Sequence, residues 1–441
     1  MKWLSLRGFA PTIERVDLER LRHPERLSTR ELVKDNTVRT AARLPDPDRP
    51  EGPGLYVKRY KLRDLTDRLR GSVIPGKAVR EWRICRALQR AAVPTCDVLA
   101  VAVRRRSLLP REGFLLSREV TGSRPLGDFL EEVLPELPRR RPDYWRRLVE
   151  EGAALTAQLA RAGFYHSDYH AGNLLVRPEA APGQRLYVVD LHSMWRRRRA
   201  RRRALRRMLA MLGLSVRDRG VGPLSQVRFL RRFLRRWQGG PDGAAAELRQ
   251  WMARLQRTAA RLREGHLRSR TRRCLKESSL FTSEKTADFL LHRRRDFPLE
   301  AALDAVRKHA ETMSAPQREG LLLRDGHRTQ VTVVPCESVP ERTLNRPVPA
   351  GRAGPGQVCV KSFLRRRPRE RIKDCLRPRS RARGAWLAAR GLHVRGVPAA
   401  HPLALLESRH KAAGGPDSVS YTHLRAHETS LHLVCRLLLE K

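Results

Sequence analysis

His166-Ser167-Asp168-Tyr169-His170-Ala171-Gly172-Asn173, followed by Val188-Val189-Asp190, decides how this chain is read. The stretch supplies one carboxylate, Asp168, that can accept the proton of an attacking hydroxyl. It also supplies an amide, Asn173, and a second carboxylate, Asp190, whose oxygens suit a hard cation held against phosphates. Asp190 ends the apolar run Leu186-Tyr187-Val188-Val189, which reads as a buried strand delivering its carboxylate to a cleft. The plainer reading makes these residues turn formers that cap their own backbone. The surroundings favour chemistry. Tyr144, Trp145, Leu148, Val149, Leu155, Leu159 and Ala160 recur at helical spacing and run into Gly163-Phe164-Tyr165 just before the loop. Leu174-Leu175-Val176 then reads as a short strand.

A cleft of this kind needs a lysine on a strand and a glutamate on a helix in a smaller lobe. Leu55-Tyr56-Val57-Lys58-Arg59-Tyr60 alternates as a strand should, and the segment Lys77 to Gln89 is helical and presents Glu81 beside Trp82. In this role Lys58 neutralises the α- and β-phosphates and Glu81 orients its ammonium. Taken alone, a Lys–Glu pair is a solvated surface pair of little worth; the order Lys58, Glu81, Asp168, Asn173, Asp190 argues otherwise. The expected fold is α+β, two-lobed and protein-kinase-like. One part is missing: the hairpin-like region from Leu32 to Leu44 holds no glycine, so no phosphate-covering loop can be named.

Tyr56-Val57-Lys58-Arg59-Tyr60, Arg80-Glu81-Trp82, Val93-Pro94, His166-Ser167-Asp168 and Val189-Asp190-Leu191-His192 resemble the lipopolysaccharide core kinases, the Kdo and heptose kinases, over roughly Ser28 to Trp237. The resemblance implies ATP and Mg2+ as cofactors and a sugar hydroxyl of the lipid A–core region as acceptor. It makes Asp168 the base, with His166 in the same catalytic motif. Lys58 and Glu81 become the nucleotide pair, and Asn173 and Asp190 the metal ligands. Asp190 is followed by Leu191-His192 where Phe-Gly is usual. The loop Asp168 to Asn173 also resembles that of aminoglycoside and choline phosphotransferases, so a soluble acceptor stays open, as does a pseudokinase scaffold that binds a partner without turnover.

The charge points to an anionic partner. Lys and Arg number 92 against 46 Asp and Glu, a formal +46. Arginines cluster from Arg196 to Arg207 and again in Phe229-Leu230-Arg231-Arg232-Phe233-Leu234-Arg235-Arg236-Trp237, whose apolar positions fall at helical spacing. Such helices suit an anionic membrane face or a phosphorylated glycolipid. Their apolar sides suit the protein core, and scattered Arg elsewhere suits an ordinary helix surface. Nucleic acid is the weaker reading, because aromatic residues are 5% of the chain and no stacking platform or zinc ligand set is visible. No run of eighteen or more apolar residues occurs. The N-terminal apolar stretch is too short for a secretory signal, and the 7 cysteines lack metal spacing. A cytoplasmic protein peripheral to the inner membrane is the consistent expectation.

The chain also repeats itself. Val57-Lys58-Arg59-Tyr60 leads to Trp82, Leu88 and Val93-Pro94; Val360-Lys361-Ser362-Phe363 leads to Trp386, Leu392 and Val397-Pro398, with identical Trp-to-Leu and Trp-to-Pro spacings and a Lys-to-Trp spacing that differs by one. We therefore expect a catalytic domain over 1–265 (small lobe about 28–120, large lobe about 121–265) and a second, incomplete kinase-like small lobe over 266–409, beginning at a hairpin near Arg272 to Lys276. Ala385 stands where the first copy has Glu81, and no second H-x-D-x4-N follows, so this copy is expected to be inactive and, lacking a large lobe, poorly packed. Pro/Gly-rich Asn345 to Gln357 and Gly239 to Ala244 read as loops. The tail, 410–441, resembles translated sequencing-adapter read-through and is assigned no function.

Overall fold

A computed structural model describes residues 2–5, 16–36, 38–62, 68–69, 71–72, 74–106, 109–134, 136–197, 202–238, 245–315, 322–326, 328–336, 356–364, 380–409 and 417–422. The two expected glycine-rich loops fall outside these residues, except Gly356 and Gln357. The chain divides into two compact units, Met1–Leu262 and Arg263–Lys441.

The first unit opens with an antiparallel sheet in the order β1-β5-β6-β4-β3-β2, formed by β1 (Lys2–Ser5), β2 (Leu32–Asp35), β3 (Arg39–Leu44), β4 (Leu55–Lys61), β5 (Val98–Arg106) and β6 (Leu109–Arg118). Alternation in β4 separates its faces. Leu55 and Val57 join Leu21, Leu44, Phe114 and Leu116 in a core beneath the N-terminal segment. Lys58 and Tyr60 face helix α1 (Lys77–Arg90). That helix and the inner face of the sheet share a second core, with Cys85, Leu88 and Val101, that continues into the helical lobe through Leu148, Leu159, Phe164 and Tyr169. One hydrophobic mass therefore joins the two lobes.

In the helical lobe, β7 (Arg124–Pro125), α2 (Leu126–Val133) and α3 (Pro142–Arg161) precede β8 (Phe164–His166). α3 ends because Gly163 turns the chain at φ +77°, a left-handed conformation that favours glycine. A Cβ there would stand 2.3 Å from the Arg197 carbonyl oxygen. The hairpin β9 (Leu174–Val176)–β10 (Leu186–Val188) follows the catalytic-loop segment, pairing Val188 with Leu174. β11 (Met194–Arg196) returns to pair with β8. Helices α4 (Arg202–Arg217) and α5 (Pro223–Gln238) bury Leu205, Met208, Leu209, Leu230, Phe233 and Leu234. Their apolar sides are core, and the membrane reading is left with their arginines alone. Helix α6 (Ala245–Arg272) includes the boundary between the units.

The second unit holds an antiparallel sheet in the order β12-β13-β17-β18-β16-β15-β14: β12 (Phe281–Lys285), β13 (Phe289–Arg294), β14 (Leu322–Asp325), β15 (Thr329–Pro335), β16 (Gln357–Phe363), β17 (Pro402–Ser408) and β18 (Asp417–Thr422). Its hairpin begins at Phe281; the expected hairpin at Arg272 is instead the end of α6 and a 3-10 turn, Arg273–Leu275. One face carries α7 (Leu299–Ser314), packing Ala302 and Ala305 on Val334, Val358 and Val360. The other carries α8 (Arg381–Val394), whose Trp386 is fully buried with Phe281, Phe363 and Leu405. Both faces are covered, so the expected loose packing is not found. Residues 417–422 of the tail form β18 between β17 and β16. No helix among the described residues is long and apolar enough to cross a membrane.

Candidate active site

Lys58 projects from the middle of β4, where the strand is paired on both edges, with Ala41 on one side and Leu115 on the other. Its ammonium lies 2.7 Å from Glu81 Oε1 on α1 and 3.6 Å from Asp190 Oδ1. Glu81 is 1% exposed, and a carboxylate so deep in the protein must be fully engaged. Oε1 also accepts the Leu191 N–H at 3.2 Å, and Oε2 accepts the Tyr60 hydroxyl. Burial, the largest influence, disfavours the Lys58 ammonium. The charge of Glu81, with Tyr60 and Asp190, outweighs it and holds the Lys58 pKa well above the usual lysine value.

Asp190 follows β10 in the left-handed region, at φ 60° and ψ 48°. For a non-glycine residue this is a strained conformation that the surroundings must enforce. Three groups hold its Oδ1: the Arg39 guanidinium at 2.6 Å, His192 Nδ1 at 2.7 Å and Lys58. Burial would raise its pKa, but His192, Lys58 and Arg39 hold the carboxyl far below the usual carboxylate range. The Val189 N–H donates to the Asn173 carbonyl at 3.0 Å, extending the β9–β10 ladder by one step. Asn173 and Asp190 therefore leave adjacent strand ends.

The loop between β8 and β9 is a chain of short-range hydrogen bonds. His166 Nδ1 accepts the Asp168 N–H at 3.2 Å, and its Nε2 donates to the Val189 carbonyl at 3.3 Å. The ring is 2% exposed, and burial lowers its pKa, so it is neutral. His166, expected among the catalytic side chains, is buried with both ring nitrogens bonded to backbone. It ties the start of the loop to the strand that delivers Asp190. The Asn173 amide donates to the Asp168 carbonyl at 2.8 Å, closing the other end. The Asp168 carboxylate itself faces outward, with Oδ2 3.5 Å from His170 Nε2. That interaction, the largest influence, lowers its pKa and keeps it ionised. His170 Nδ1 accepts the Gly172 N–H, which leaves Nε2 as the donor toward Asp168.

Lys58, Glu81 and Asp190 thus meet directly, and Asn173 and Asp168 are joined to them through the loop's backbone. Glu81, Asp190 and His192 place ligand atoms within 4.8 Å of one another. Both Glu81 oxygens are already committed, however, so this trio is poorly suited to a metal. The Asp190 carboxylate and Asn173 amide oxygens match Mg2+, which prefers oxygen and few protein ligands. Three contributors were missed in the sequence. His170 and His192 lie inside the quoted motifs and could have been weighed. Arg39 lies 151 positions from Asp190 with no local signal.

A small sheet with a Lys–Glu pair above a helical lobe with an Asp…Asn…Asp loop defines a phosphotransferase of the protein-kinase-like class. Residues 34–233 match the lipopolysaccharide kinase (Kdo/WaaP) family. Over 214 residues the chain is 28% identical to the lipopolysaccharide core heptose(I) kinase WaaP of Pseudomonas aeruginosa, covering 47% of this chain and 76% of that protein. Among solved structures, WaaP in complex with acyl carrier protein aligns at TM-score 0.42 and 23% identity, over 59% of this chain and 99% of that one. A divergent Toxoplasma kinase lacking the glycine-rich loop aligns at TM-score 0.33 and 14% identity, over 54% and 84%. Over the matched residues the first unit is similar to the Kdo/WaaP lipopolysaccharide kinase family, and the protein is a phosphotransferase with an alcohol group as acceptor.

Proposed function

We propose that the first unit is an ATP- and Mg2+-dependent kinase that phosphorylates a sugar hydroxyl of the lipopolysaccharide core or lipid A region. The observation that carries this reading is the buried Lys58–Glu81 pair beside Asp190, above a loop that turns Asp168 outward. In the reaction Asp168 accepts or orients the proton of the attacking sugar hydroxyl, and its depressed pKa makes it an ionised acceptor at neutral pH. Lys58, fixed by Glu81, neutralises nucleotide phosphate charge without reorganising as the transfer proceeds. Asn173 and Asp190 would hold Mg2+, which shields the phosphates when bound. His166 keeps the base and the metal ligands in one frame.

The acceptor class rests on the family and on charge. On α5 the buried Leu230, Phe233 and Leu234 leave Arg228, Arg231, Arg232, Arg235 and Arg236 on an exposed face. Such a face favours a phosphorylated glycolipid on an anionic membrane surface over a cationic aminoglycoside. We read the protein as peripheral to the inner membrane on its cytoplasmic side. The second unit we read as an incomplete kinase-like small lobe without turnover of its own.

The test incubates the full chain with radiolabelled ATP, Mg2+ and a panel of rough-type lipopolysaccharides, free heptose and Kdo, and soluble aminoglycosides. Label entering the lipopolysaccharide core supports the proposal. Label entering only soluble cationic acceptors would replace it with the antibiotic-phosphotransferase reading, and nucleotide binding without transfer to any acceptor would favour a scaffold.

A further inference from the structure

The β2–β3 hairpin stands where a kinase-type fold covers its nucleotide, yet it contains no glycine, and the backbone N–H groups of Asn36, Val38 and Arg39 are already occupied. Asn36 Oδ1 accepts the N–H groups of Val38 and Arg39 at 2.9 and 2.8 Å. The Asn36 N–H donates to the Arg39 carbonyl at 3.0 Å, and the Val38 carbonyl accepts from the Lys61 N–H. Amides that a glycine-rich turn would turn toward phosphate are here consumed by a side chain of the turn itself. What the hairpin offers instead is a cation. Arg39, the first residue of β3, reaches inward with 17% of its side chain exposed and lies 2.6 Å from Asp190 Oδ1.

That contact is incompatible with a metal on the same oxygen. Oδ1 already receives His192 at 2.7 Å and faces Lys58 at 3.6 Å. A divalent cation arriving there sets two further positive charges beside the guanidinium at a half-buried site, where screening is weak. A metal on that oxygen would displace the guanidinium from Asp190, and a planar fork of donors at this place matches one class of anion, the phosphates that the metal accompanies.

The second unit carries an independent observation. Its hairpin repeats the first one, including the register shift between Leu322 and Arg324 that answers the shift between Leu32 and Lys34. In that frame Arg39, paired with Tyr60, corresponds to Thr329, paired with Phe363. The copy that has alanine for Glu81 also lacks the arginine. The two residues are present together and absent together, as members of one site would be.

We propose that Arg39 is a nucleotide-binding residue. When the magnesium nucleotide enters, its guanidinium passes from Asp190 to the β- and γ-phosphates and replaces the backbone donors of a glycine-rich loop. In the empty cleft it serves as the counter-ion of Asp190. This inference rests on the kinase reading above.

The experiment measures equilibrium binding of AMP, ADP and ATP with MgCl2 to the full chain, by competition with a fluorescent nucleotide analogue. Wild type is compared with Arg39→Ala, Arg39→Gln and Arg39→Lys, each checked for fold by circular dichroism. Loss of a charge-assisted phosphate contact should weaken ADP and ATP by about tenfold or more. AMP should be left within about twofold, and Arg39→Lys should recover part of the loss. If Arg39→Ala fails to fold, the glutamine variant carries the same comparison. ATP bound as tightly as, or more tightly than, by wild type would overturn the proposal and leave Arg39 as a mere occupant of the metal ligand. A folded wild type that binds no magnesium nucleotide would bring down the kinase reading, and this inference with it.

Discussion

Lys58 and Lys361 stand at the same node of two sheets built alike. Five strands in each follow one order, β5-β6-β4-β3-β2 in the first unit and β17-β18-β16-β15-β14 in the second. Lys58 pairs across to Ala41, and Lys361 to Val331, in hairpins with the same register shift. The helix after each lysine strand has 14 residues and ends in the same hydrogen bonds: the Val93 N–H returns to the Leu88 carbonyl, and the Val397 N–H to Leu392. The scaffolds agree while the chemistry diverges. Around Lys58 stand Glu81, Asp190 and Arg39; at the place of Glu81 the second helix has Ala385, beside the fully buried Trp386. The two sheets share strand order, register and helix ending, and they differ at the positions of Glu81 and Arg39.

The largest expected effect breaks this comparison at the reacting groups. Asp168→Asn should reduce phosphate transfer by about a hundredfold or more, with an unchanged melting temperature by calorimetry. Lys58→Ala should be similarly inactive, whereas Lys361→Ala should leave the transfer rate as it is. Equal loss in both lysine variants would mean that the second unit takes part in the reaction.

Next come stability effects particular to the first unit. Glu112, 5% exposed, faces Arg22, Arg59 and Arg104 on the outer side of the sheet. Glu112→Ala leaves that cluster uncompensated and should cost about 3 kcal/mol by denaturant unfolding. Gly163→Ala combines a left-handed backbone with a Cβ 2.3 Å from the Arg197 carbonyl; a loss of about 2–3 kcal/mol is expected.

Acidification should separate the units. Burial lowers the pKa of His292, His309, His393 and His401 in the second unit, His401 to about 4; in the first unit the same holds for His166. Below about 6.5 the unfolded chain binds protons that these folded histidines refuse. Their contribution is complete above that pH and erodes as pH falls through it. The depressed carboxyls of Asp168, Asp190 and Glu112 work at lower pH, because their stabilisation is present above the ordinary carboxylate range, about 4, and fades only below it. Hydrogen exchange at pH 7.5 and 5.5 should therefore show the second unit weakening first, and the reverse order would contradict this assignment.

The smallest effect tests the shared helix ending. Ala92 has φ 52° where the second unit has Gly396 at φ 74°, with open space around the glycine. Ala92→Gly should stabilise and Gly396→Ala destabilise, each by about 1 kcal/mol.

The grouping of Lys58, Glu81 and Asp190 beside the Asp168–Asn173 loop was legible because these residues are chemically distinctive and lie on elements whose periodicity is clear. The repeat was legible through lysine, tryptophan and proline spacings, even though few other positions agree. Arg39 was not legible. Nothing in its neighbourhood distinguishes it from the other arginines, and its meaning depends on a carboxylate brought to it by the fold. The burial of His166 and its two backbone hydrogen bonds were not legible either, because they depend on a strand that the fold brings against the loop.

The short turn after α1 is fastened to the helical lobe. The Gln158 amide donates to the Ala92 carbonyl at 2.9 Å, the Val188 N–H to the Pro94 carbonyl at 3.1 Å, and the Thr95 hydroxyl to the Val188 carbonyl at 2.8 Å. Val188 lies two residues before Asp190, so the far end of the helix bearing Glu81 is moored to the strand that carries the second carboxylate. The separation of the two carboxylates is therefore tied to three hydrogen bonds at the far end of the helix, remote from the cleft itself.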